Sequence, residues 1–114
     1  MLLDALRAAG ADVRRHRDHF APDAPDETWL PEVGHRGWVV LTKDKNIRRN
    51  ELEREALLSA NVRAFVLTSG SLTSAETAAV FVQQLRKMAD MAVSEPPPFV
   101  ASVTRTGVRI VCRR

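Results

Sequence analysis

An aspartate that directly follows an apolar segment is the residue of this chain best suited to metal and phosphate chemistry. Asp44 comes after the strand-like residues 38–42 and lies between Lys43 and Lys45. Open α/β sheets form their binding sites just beyond the C-terminal ends of strands, and a carboxylate there offers the oxygen ligand that Mg²⁺ prefers. Thr42 is placed to orient this carboxylate by a hydrogen bond. A purely structural role, in which Asp44 only shapes the turn, stays open.

Basic side chains surround the same aspartate and indicate a polyanionic partner. Lys43, Lys45, Arg48 and Arg49 outnumber the single acid, Asp44, in this stretch. Clustered cations attract nucleic-acid phosphates, and Arg48 and Arg49 are the contacts expected first with an RNA backbone. The alternative is an ordinary solvated surface.

Asp26 is the second candidate ligand. It opens a segment predicted to form a short helix, where an aspartate also serves as an N-cap, and the two roles do not exclude each other. His16, His19 and His35 do not have the helical spacing of metal ligands, so a zinc site is not expected.

Composition narrows the classes of function. The 114 residues suffice for one domain, residues 1–114, and 45% of them are hydrophobic, as in a folded protein. Aromatic residues make up 5% and include no Tyr, which argues against a base-stacking RNA platform. The single cysteine, Cys112, excludes an internal disulfide and a Cys-based metal site. No secretion signal or membrane-spanning run is visible, so we expect a cytoplasmic protein.

Helical and apolar segments alternate along the chain and predict an α/β fold. The patterns predict helices at 1–9, 26–33, 51–60 and 74–93 and strands at 12–16, 38–42, 62–67, 99–104 and 108–112. The last two strands form a terminal hairpin or one strand with a frayed tail. Thr73 and Glu76 have the pattern of a capping box, and Leu52, Ala56 and Leu57 are expected to share the buried face of their helix. The sum is a three-layer α/β/α sandwich with a mainly parallel sheet.

Blocks of this sequence resemble the PIN-like domains found in VapC-type toxins and their relatives. The blocks are residues 26–30, 37–49 and 65–68, and the proline-rich residues 96–101 also fit that group. The resemblance covers essentially the whole chain and implies an α/β/α sandwich. It also implies a magnesium- or manganese-dependent endoribonuclease whose acids cluster at the strand ends.

The resemblance implies roles for individual residues and partners. Asp26 and Asp44 carry over as catalytic, metal-binding carboxylates, and the metal would polarise the scissile phosphate and activate a water. Substrate contacts are expected from Thr42, Lys43, Lys45, Arg48 and Arg49. RNA is the expected substrate. An antitoxin protein is a further expected partner, and a homodimer is a possible assembly.

One departure from the family pattern concerns the first strand and the Asp that ends it. The chain begins inside the helix that follows that strand, and Asp4 within this helix is no substitute for the missing acid. In the expected strand order 2-1-3-4-5, the absent strand would lie beside residues 38–42. Either the assigned start is too far downstream, which we favour, or the chain is a truncated relative. The alternative function is accordingly a catalytically inactive domain that binds RNA or protein.

Overall fold

A four-stranded sheet organises the part of the chain that the structure, a computed structural model, describes: residues 26–43, 51–68 and 72–113. The elements are α1 (Asp26–His35), β1 (Val39–Lys43), α2 (Glu51–Ser59), β2 (Arg63–Leu67), α3 (Ser74–Ser94), β3 (Phe99–Thr104) and β4 (Gly107–Arg113). The sheet order is β1-β2-β3-β4. The first three strands are parallel and β4 is antiparallel to β3. The predicted α/β fold and the terminal hairpin are confirmed.

The predicted N-terminal elements, residues 1–9 and 12–16, lie outside the described residues. Within the described ranges, β1 occupies one edge of the sheet and pairs with β2. The strand that the family pattern expects beside β1 therefore stays a prediction. No helix in these ranges combines the length and apolar character needed to cross a lipid bilayer.

The sheet separates two hydrophobic cores, and β2 contributes to both. Phe65 and Leu67 pack with Phe81 of α3, and the Phe65 ring meets Phe99 edge to face at a centroid distance of 5.6 Å. Ala64 and Val66 point into the core that α1 and α2 cover on the opposite face. Alternate side chains of a strand point to opposite faces, so the apolar run of β2 serves both layers.

Helix α1 extends past residue 33, where the sequence pattern predicts its end. Gly34 lies inside α1, which ends at His35, and the chain turns at Gly37 with a φ of 72°. A Cβ atom at Gly34 would collide with the carbonyl oxygen of Ala60. Glycine at this position thus permits a close approach between α1 and the segment after α2.

In α2, the predicted buried face is partly wrong. Leu57 is buried and Ala56 is half-buried, but Leu52 is 86% exposed. Five residues of α-helix rotate by about 140° beyond a full turn, so Leu52 and Leu57 cannot share a face.

Helix α3 begins with the predicted capping box. The Thr73 hydroxyl accepts a hydrogen bond from the Glu76 N–H, and the Glu76 carboxylate accepts one from the Thr73 N–H. The same carboxylate pairs with Arg105 at 2.9 Å. The hydrogen bond from the Thr73 N–H, followed by those from the Thr73 hydroxyl and Arg105, lowers the pKa of Glu76.

A β-bulge interrupts the pairing of β3 with β4. Ala101 lies opposite Ile110, whereas Val100 lies opposite Cys112, so Val111 is the extra residue. Ile110 packs against the core beneath α3, and Cys112 packs against the other core. The bulge therefore changes which face of the sheet the end of β4 serves.

We predict that Gly34→Ala destabilises the protein. The same change in an open helix would stabilise it by up to about 1 kcal/mol, whereas overlap with the Ala60 carbonyl should cost about 1–3 kcal/mol. Thermal or denaturant unfolding measures the difference. Gly107→Ala is the matched control because no atom lies within 4 Å of the added Cβ, and its effect should stay below about 0.5 kcal/mol. A stabilised Gly34→Ala protein would contradict the close approach.

We also predict a pH-dependent effect of Glu76→Gln. A carboxylate with a lowered folded pKa contributes stability that is complete above its unfolded pKa and is lost as the pH falls through the folded value. The variant should therefore melt below the native protein at neutral pH, and the two should converge in acid. Melting temperatures across a pH series test this, and a difference that does not change with pH would contradict it.

Candidate active site

The C-terminal ends of the three parallel strands meet at one edge of the sheet. Lys43 of β1 lies opposite Leu67 of β2, which lies opposite Val103 of β3. Sites of open α/β sheets form outside this edge. The four predicted site residues that follow β1 lie outside the described residues: Asp44, Lys45, Arg48 and Arg49. Their roles stay predictions.

The two described residues of the predicted substrate-binding set face opposite sides of the sheet. Thr42 pairs with Val66, which packs beneath α1 and α2, and Lys43 pairs with Leu67, which packs against α3. Paired residues on neighbouring strands share a face. The structure therefore does not bring Thr42 and Lys43 onto one surface, although both lie at the same edge.

Asp26 is the first residue of α1, on the same side of the sheet as Thr42. The other end of α1 packs at Gly34 against the segment that enters β2, and the Trp38 N–H donates to the Val33 carbonyl at 3.0 Å as the chain enters β1. Helix α1 is about 15 Å long and β1 about 16 Å. Since α1 folds back over the sheet, its first residue lies toward the edge where β1 ends.

Lys43 has a specific partner across the edge. Its ammonium donates a hydrogen bond of 3.0 Å to the carbonyl oxygen of Leu72, the residue before the Thr73 cap of α3. Sequence reasoning missed this contact, because a backbone carbonyl carries no residue-type signal.

Helix α3 runs along this edge before it covers the sheet. It starts beside Lys43 of β1, and ten residues further on the Gln84 amide donates to the Thr104 and Arg105 carbonyls at 3.0 and 3.1 Å. The far end is held by Arg63, which donates to the Glu95 carbonyl. The first half of α3 therefore borders the edge from β1 to the β3–β4 turn.

Several hydroxyl groups lie at or near the C-terminal ends of the strands. Among them, the sequence predicts a role only for Thr42. Ser102 shares a row across the sheet with Thr42 and is buried, with its hydroxyl 3.5 Å from the Arg109 carbonyl. The Thr104 hydroxyl binds within the β3–β4 turn. Thr68 directly follows β2 and is half-buried. The position of Thr68 directly after an apolar strand is the sequence feature that could have marked it as a site residue.

The described residues alone do not form a metal centre. They contain no group of three His, Cys, Asp or Glu side chains that could hold an ion. Side-chain oxygens near the edge in these ranges include the Thr42 and Thr68 hydroxyls and the Glu76 carboxylate, which already binds Thr73 and Arg105. The fit of a divalent cation thus depends on Asp26 and Asp44, whose side chains are not described.

Comparison with known proteins identifies the family. The family described as "PIN like domain" matches residues 1–69, which is more than half of the chain. The protein named "Putative ribonuclease VapC45" from Mycobacterium tuberculosis (strain ATCC 25618 / H37Rv) is 31% identical over 102 residues, covering 86% of this chain and 73% of the relative. No solved structure matches the chain significantly. With its α/β sheet and this similarity along most of its length, the chain belongs to the PIN-like domain family.

Proposed function

We propose that this chain is a metal-dependent endoribonuclease of PIN-like type. The observation that carries the proposal is the sheet edge at which β1, β2 and β3 end together and from which Asp44 follows directly. A relative that shares 31% identity bears the name of a ribonuclease, which supports the same activity.

In this proposal Asp26 and Asp44 bind Mg²⁺ or Mn²⁺. Both ions accept carboxylate oxygen ligands, and the bound ion would polarise the scissile phosphate and activate a water. Thr42, on the face that α1 covers, would orient a neighbouring carboxylate through its hydroxyl.

Lys45, Arg48 and Arg49 would contact the phosphates of the RNA backbone. Arg36, Arg105 and Arg113 already form ion pairs, with Glu32, Glu76 and Glu95 respectively. The basic stretch after β1 is therefore the stronger candidate for a phosphate-binding surface next to the metal.

A protein partner belongs to the same proposal. The resemblance to VapC-type toxins suggests that an antitoxin protein restrains the activity, and a homodimer is a further candidate assembly. The second candidate function is a domain that binds RNA or protein without cleaving. It is favoured by the small number of metal ligands. The proposal has two carboxylates, Asp26 and Asp44, and the described residues contain no group of three side chains that could hold an ion.

We expect Asp44→Asn to abolish Mg²⁺-dependent RNA cleavage. Loss of a group that only supports a metal ligand costs about 10–100-fold, so loss of a ligand should cost at least about 100-fold. Cleavage of a labelled RNA, with and without Mg²⁺, measures the effect. Asp90→Asn, on the exposed surface of α3, is the matched control and should cleave normally. Undiminished cleavage by Asp44→Asn would refute the assignment, and Mg²⁺-independent RNA binding without cleavage by the native chain would favour the second function.

We also expect Arg48→Gln and Arg49→Gln to weaken RNA binding in a salt-dependent way. Each lost phosphate contact should lower the slope of log affinity against log salt by about 0.7 for single-stranded RNA. The measurement is best made in the Asp44→Asn protein, which should bind without cleaving. Arg86→Gln, exposed on α3, should leave the slope unchanged. If all three variants showed the same salt slope, Arg48 and Arg49 would not be RNA contacts, and the RNA would bind at another surface.

A further inference from the structure

The hydrogen bond from Lys43 to Leu72 joins the end of β1 to the segment that leads into α3. Lys43 is the last residue of β1, and Leu72 lies between the end of β2 and the cap of α3. The two residues are 29 positions apart in the chain. The bond thus ties the segment that leads to Asp44 to the segment that follows Thr68.

The dipole of helix α3 does not explain this position of the lysine. The N-terminus of a helix carries a partial positive charge and disfavours a nearby cation. The Leu72 carbonyl, one residue before the cap, is the acceptor that makes the position favourable. Glu76 in the first turn of α3 adds a negative charge on the same helix end.

The Lys43 contact is one end of a continuous set of contacts across the edge. Leu72 is followed by Thr73, whose N–H and hydroxyl both bind Glu76. Glu76 in turn pairs with Arg105 of the β3–β4 turn at 2.9 Å. The start of α3 is therefore held from β1 on one side and from the hairpin on the other.

We propose that Lys43 is a positioning residue that holds the start of α3 against the end of β1, and that it does not contact the RNA. Its side chain lies on the α3 side of the sheet. The metal site is proposed on the other side, near Thr42 and α1. The effect on catalysis rests on the proposed ribonuclease function, whereas the effect on α3 does not.

The test compares Lys43→Met, which keeps an unbranched side chain of nearly the same length but removes its donors, with Lys43→Arg, which keeps a donor. In RNA cleavage, Lys43→Met should lower kcat by about 10–100-fold, because small displacements of a site are costly. Its KM and the salt slope of RNA binding should change little, and Lys43→Arg should recover most of kcat. Lys87→Met, exposed on α3, controls for the loss of one positive charge.

Amide hydrogen exchange gives a readout that needs no cleavage. Lys43→Met should speed exchange at the N–H groups of Thr73, Glu76 and Thr77, which bind within the first turn of α3, and Lys43→Arg should not. Faster exchange in Lys43→Met, combined with no RNA cleavage by the native protein, would support the positioning role and reject the ribonuclease function. Unchanged exchange, or a salt slope lowered by about 0.7 with normal kcat, would overturn the proposal.

Discussion

Burial of β2 on both faces is the constraint on which the rest of the structure depends. Ala64, Phe65, Val66 and Leu67 are almost completely inaccessible to solvent, and burying a large apolar side chain contributes about 1.5–3 kcal/mol. A strand of this kind is stable only with a strand on each side and a helical layer on each face. The flanking strands β1 and β3 and the two cores meet that requirement, and their parallel direction brings the three strand ends to one edge.

Much of this architecture could be predicted from local sequence patterns. The apolar runs of β2 and β3 and the capping box of α3 depend on residue type and spacing, and the structure confirms them. The end of α1 could not be predicted, because Gly34 acts through its contact with Ala60 and not as a helix stop. For α2, Leu52 shows that an apolar residue near a helix start does not by itself define the buried face.

The candidate site was less predictable, and the reason is chemical. Three side chains that position α3 or its surroundings, Lys43, Arg63 and Gln84, donate to backbone carbonyl oxygens distant in sequence. Every residue has such an oxygen, so no pattern of residue types predicts which carbonyl accepts the hydrogen bond. Acidic and basic residues after β1 drew attention because their types are distinctive, whereas the groups that fix the neighbouring helix appear only once the chain is folded.

The extra residue in β4, Val111, determines which face of the sheet each of the last side chains of the strand points to. If the register that joins Ala101 to Ile110 continued without a bulge, Val111 would pair with Val100, and Arg113 would fall on the face of the sheet opposite α3. With the bulge, Arg113 lies beside Phe99 on the α3 side, where its guanidinium binds the Glu95 carboxylate at 2.8 Å. A one-residue irregularity at the margin of the sheet thus decides whether the last strand can anchor the longest described helix.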